Sequence, residues 1–122
     1  MALVLLGVGG CSAPDAAAPD EDGPLILPAG TPEKIVKLVA EGDRCHIAAM
    51  EHLKRSDPRI NPDGWKDENE QARILFKAAN DEGYLLAQDE YPKGPIPQSL
   101  LDRIRETSLR FWVCRKRSVS NR

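Results

Sequence analysis

Residues 31–53 read TPEKIVKLVAEGDRCHIAAMEHL, and the spacing of their apolar members decides the fold class. Ile35, Leu38, Val39, Ala49, Met50 and Leu53 fall on one stripe when wound at helical spacing, the pattern of a helix with one buried side. Thr31-Pro32-Glu33 supplies the start: a hydroxyl for the N-cap, a proline where the amide needs no partner, and an acid in the first turn. Gly42-Asp43 sits inside the stripe, and Asp43 offers a second cap, which allows a division into two shorter helices there. Ser56-Asp57-Pro58 ends the helix, and Asn61-Pro62-Asp63-Gly64 continues as a turn-rich loop.

The same reading extends downstream. A second helix begins near Asp67, with Ala72, Leu75, Phe76, Ala79, Gly83 and Leu86 on its apolar face. Gly83 is the expected end, leaving residues 84–87 as an extended or frayed continuation. Residues 91–97 (YPKGPIP) form a rigid connector that cannot be helical throughout. A third helix is expected from Pro97 to about Arg117, with Leu100, Leu101, Ile104, Ser108, Phe111 and Trp112 on its inner side. No segment alternates with period two, so the fold class is all-α: a small bundle of three to four helices over residues 31–118, with 119–122 as a disordered tail.

The chain upstream is of another kind. Ala2 to Gly10 is uninterrupted small and apolar residues, too short to span a bilayer, which takes about 20, but of the size of the apolar part of a secretory signal. Residues 11–30 are rich in Ala, Pro, Asp and Gly. Pro14, Pro19, Pro24 and Pro28 break any helix, and Asp15, Asp20, Glu21 and Asp22 make the stretch acidic, so it reads as a disordered tether. The whole chain of 122 residues, 41% hydrophobic and 30% charged, has room for one small domain. Its net charge of −2 hides an uneven distribution: +5 over residues 99–122 against −7 for the rest.

Val8-Gly9-Gly10-Cys11, after an apolar run and before an acidic tether, resembles the lipobox of bacterial lipoproteins, although no Lys or Arg precedes the run. The resemblance covers about eleven residues and implies lipidation of Cys11, removal of residues 1–10, and a membrane-anchored place in the bacterial cell envelope, on its periplasmic or extracellular face. With Cys11 so used, Cys45 and Cys114 remain as an even pair. Export would supply the oxidising compartment for a disulfide between them, and closing a loop of that length stabilises by about 3–5 kcal/mol in the chain-entropy account. Two buried thiols packed as small hydrophobes are the alternative.

No motif carries recognisable chemistry. Cys45-His46 matches only the end of a haem-attachment signature, and His46 and Met50 share one helix face and cannot ligate one iron from opposite sides. His46 therefore reads as a structural histidine, core-facing or partly exposed. Cys45 and His52 are too far apart along a helix for one zinc, and no C-x-x-C pair is present. The acids fall on polar faces or in loops. The expectation is a non-catalytic binding or scaffolding protein with no catalytic residue, metal or cofactor. Its partners are the membrane, through the lipid anchor, and a protein or an anionic envelope surface. Arg110, Arg115, Lys116 and Arg117 form the candidate basic patch, with Phe111 and Trp112 beside them expected in the core. The alternative reading is a cytosolic, nucleic-acid-associated helical protein using that same basic helix.

Overall fold

The structure, a computed structural model, describes residues 23–92 and 95–120. Among them there is no strand. Helix α1 (Glu33–Lys54) is followed by α2 (Trp65–Ala79), a π-helical turn (Asn80–Tyr84), α3 (Leu85–Glu90) and α4 (Gln98–Ser120). The fold is an all-α bundle of three rods, because α2, the π turn and α3 follow one another without a break. His52 meets Glu68 and Gly42 meets Gly83, so the middle rod runs antiparallel to α1. Asn69 meets Cys114 and Asn80 meets Ser108, so it runs antiparallel to α4 as well.

Helix α1 does not divide at Gly42-Asp43. Gly42 is instead where the middle rod crosses: a Cβ there would lie 2.7 Å from the Tyr84 ring. The crossing is closer still from the other side, where a Cβ on Gly83 would lie 2.4 Å from the Gly42 amide nitrogen. Both glycines serve close backbone approach, not helix termination. Asp43 does not cap either; its carboxylate turns inward. The start of α1 also differs from expectation. Pro32 is the N-cap, its carbonyl accepting from the Ile35 and Val36 amides, while the Thr31 hydroxyl donates 2.6 Å back to the Pro28 carbonyl.

Gly83 does not end the second helix. The π turn carries the chain through it and adds one residue to the winding, so the buried face shifts by one position. Ahead of the turn Ala72, Phe76 and Ala79 are buried; beyond it Tyr84 and Ala87 are. Leu86, expected inside, is thereby rotated out to 45% exposure, with Leu85 beside it.

Helix α4 is also turned from expectation, its inner face falling one residue earlier, at Arg103 and Thr107 instead of Ile104 and Ser108. Its buried residues are Leu100, Arg103, Thr107 and Cys114, two of them polar. The expected apolar side is only half-buried at Leu101, Ile104, Ser108 and Phe111, and Trp112 lies outside the core at 52% exposure. The helix reaches Ser120, past the expected boundary at 118.

The core has two clusters. Ile35, Val39, Cys45, Ala79, Tyr84, Ala87 and Leu100 form the first; Ala49, Met50, Ala72, Phe76 and Cys114 form the second. His46, fully buried, joins them, edge-on to Phe76 at 5.7 Å and to Tyr84 at 6.4 Å. The two cysteines therefore belong to different clusters and are free thiols, which corrects the expected Cys45–Cys114 disulfide. Burial pushes both thiols above their ordinary range. With little thiolate to react, both should resist a thiol reagent in the folded protein and titrate fully, without reductant, once denatured. A non-reducing denatured sample in which they stay unreactive would restore the disulfide.

The tether expectation also changes at its end. Residues 11–22 lie outside the described residues, but Gly23–Gly30 is an ordered extended strap. Leu25 and Leu27 pack on the first cluster while Ile26 between them points outward, and Gly30 turns the chain into α1 with φ of 86°.

Candidate functional site

The strap is held by a buried polar cluster between α1, the π turn and α4. Asp43 accepts from the Tyr84 hydroxyl at 2.5 Å and from Arg103 Nη1 at 3.2 Å through Oδ1, and from the Leu25 amide at 3.1 Å through Oδ2. Arg103 Nη1 also donates to the Tyr84 oxygen at 2.7 Å, and Nη2 to the Gly23 carbonyl at 2.7 Å. Burial raises the Asp43 carboxyl above its usual range, outweighing the pull of its hydrogen bonds and of the Arg103 charge. Burial and the Asp43 carboxylate push the Tyr84 hydroxyl upward too, so it stays a donor. One layer further along, the Thr107 hydroxyl lies 3.4 Å from His46 Nδ1. The Asp43, Tyr84 and Arg103 groups engage one another and the strap, and so position these elements.

At the far end, Arg117 clamps the loop after α1, donating to the Ser56 hydroxyl at 3.2 Å and the Ser56 carbonyl at 2.7 Å while lying over the Trp65 ring. That contact removes Arg117 from the candidate basic patch. Arg110 is engaged with Glu106 at 2.6 Å. Arg115 lies over the Trp112 ring at 4.9 Å, a cation–π arrangement on the surface. Lys116 is exposed. The four cations predicted to act together are thus spread over three sides of α4.

What the outer side of α4 presents instead is an apolar ridge. Leu109, Trp112 and Val113 are 58%, 52% and 54% exposed, and Arg105 and Lys116 stand at its two ends. A groove runs along each flank. One, about 180 Å³, lies toward the π turn, between Phe111 and Trp112 on α4 and Asn80 and Leu85 on the middle rod. The other, about 320 Å³, lies toward the end of α1, between Leu53 and the pair Leu109 and Val113. A ridge between grooves is the relief that a neighbouring helix packs against.

Two signals hid this ridge from sequence reasoning. Leu109 and Val113 stand apart from the strongest apolar stripe, and that stripe is displaced because Arg103 and Thr107 occupy interior positions. A polar side chain three or four residues from a buried one, as Arg103 is from Leu100 and Thr107, is the only sequence trace of the rotation. Among the described residues, no group of three His, Cys, Asp or Glu side chains is placed to hold a metal, and no helix is long and apolar enough to cross a membrane. Comparison with protein-family models, curated proteins and solved structures gives no match.

Proposed function

We propose that the protein is a lipid-anchored bacterial envelope protein with a non-catalytic binding role, and that the outer side of α4 is its binding surface. The observation that carries the binding role is the ridge of Leu109, Trp112 and Val113: three large apolar side chains left in water, contiguous, on a rigid helix. Solvated apolar groups in one patch are what association removes from water. The cations at its ends fit a partner helix whose own apolar stripe carries acidic side chains, and Trp112 and Arg115 are residue types that dominate binding energies. The anchoring rests on the resemblance of Val8–Cys11 to a lipobox, with an acidic, proline-broken stretch behind it.

The two halves have separate tests. Intact mass of the chain from the membrane fraction should show a mature protein starting at an acylated Cys11; an unmodified Cys11 with Met1 retained overturns the anchoring. A photo-crosslinking residue placed in turn at 109, 112 and 113 should trap the same protein from intact cells, while one at the still more exposed Ile60 should not. Indifferent labelling at all four positions overturns the binding surface.

A further inference from the structure

We infer that the helix received by α4 is the π–α3 face of a second copy of this chain. The inference rests on the reading of α4 as the binding surface and names its partner. The π turn is the feature behind it. By shifting the winding one residue, it turns Leu85 and Leu86 outward between Glu82 and Asp89, all four exposed. The middle rod therefore carries an acid–apolar–acid face, and α4 a cation–apolar–cation face.

The two are complementary in order and in scale. At 1.5 Å per residue, Arg105 and Lys116 stand about 16 Å apart and Glu82 and Asp89 about 10 Å apart, a difference within the reach of the long cationic side chains. In each case the apolar residues fall between the charges. The flanking acids Asp81 and Glu90 are engaged by Lys77 and Lys34, while Asp89 and Glu82, the latter exposed and within electrostatic reach of Arg44 on α1, bracket the two leucines. Arg105 has only a loose surface pairing with Asp102, at 4.0 Å, and exposed pairs of this kind exchange readily for others. The net charges act in the same direction, +5 over residues 99–122 against −3 over residues 31–98, drawing the basic helix of one copy to the body of another.

The two faces adjoin across the groove that Leu85 and Trp112 line, so the same contact can be met by its reciprocal in a two-fold pair or repeat along a row. In an anchored protein the copies would share one plane, which raises their effective concentration.

Cysteine crosslinking of the full chain in its own membranes tests this directly. One copy carries Leu109→Cys and a differently tagged copy carries Leu86→Cys, both at exposed positions. Together they should form a disulfide-linked heterodimer on mild oxidation, and each expressed alone should form none. Arg105→Glu with Lys116→Glu in the Leu109→Cys copy should cut the yield by about tenfold or more. Glu82→Lys with Asp89→Lys in the Leu86→Cys copy should restore it. Equal crosslinking by Leu109→Cys alone, no heterodimer, or insensitivity to both charge reversals overturns the inference. If photo-crosslinking from position 112 traps a different protein and no heterodimer forms, α4 remains a binding surface and only self-association fails.

Discussion

Gly83→Ala is expected to be among the most damaging single-methyl additions in this protein, costing about 3 kcal/mol. Its added carbon would meet the Gly42 nitrogen at 2.4 Å, the Gly42 Cα at 2.5 Å and the Leu38 carbonyl oxygen at 2.9 Å. All three are backbone atoms of α1, which no rotamer change can move aside. The rods must separate at their closest point, and the Tyr84 ring behind Gly42 must follow. For a domain of this size that loss lowers the melting temperature by more than about 10 °C. Gly30→Ala is the internal comparison: nothing lies within 4 Å of its added carbon, so only the left-handed φ of 86° opposes it, at a cost of about 1–2 kcal/mol. Thermal unfolding followed by circular dichroism ranks the two, and a Gly83→Ala protein that melts with the parent contradicts the crossing.

Arg103→Met should be comparably severe, by about 3–5 kcal/mol, for an electrostatic reason. The methionine retains the stem's apolar contacts but leaves the Asp43 carboxylate buried with only Tyr84 and the Leu25 amide. In an Asp43→Asn background the same substitution strands no charge, and its cost should fall by about 1–3 kcal/mol. The pH dependence has a definite sign. The folded-state pKa of Asp43 is already raised, so the folded form holds a proton more readily than the unfolded one. Its contribution to stability is present at low pH and is lost as pH rises through the folded pKa. Removing the Arg103 charge raises that pKa further, and the Arg103→Met deficit should therefore be larger at neutral pH than in mild acid. Denaturant unfolding of the four proteins at two pH values gives the whole cycle. A deficit independent of pH and of Asp43 would mean that Arg103 acts through packing alone.

Both substitutions lie where sequence periodicity is least informative. The helices themselves were legible, because Ile35, Val39, Ala49 and Met50 on α1, and Ala72 and Phe76 on α2, repeat at helical spacing and are in fact buried. The faces were less so. A hydrophobic stripe identifies the inner side of a helix only if the interior is apolar, and here Asp43, Tyr84, Arg103, His46 and Thr107 meet inside. Arg103 and Thr107 rotate α4, expose Trp112, and bring Leu109 and Val113 to the surface. A π turn is likewise silent in the sequence: Gly83 reads as a helix end, yet the chain winds on through it, and the one extra residue exchanges Leu86 for Ala87 on the buried side. The glycines were visible, but their role was not, since chain reversal and close approach call for the same residue. The cysteine pairing failed because parity counts thiols and takes no account of which cluster each one enters.

The docked strap also fixes how the molecule takes up load. Any pull on the chain ahead of residue 23 reaches first the Gly23 carbonyl held by Arg103 and the Leu25 amide held by Asp43, before the first turn of α1 feels it. Arg103 and Asp43 belong to the two outer rods, and Tyr84 of the middle rod bonds to both. Tension at the N-terminus is thus shared among all three rods at once instead of unravelling α1 from its end. The strap works as a mooring whose cleat is the least solvated ion pair of the bundle. A force-extension trace should show one late rupture of the whole domain rather than an early peeling of its first helix.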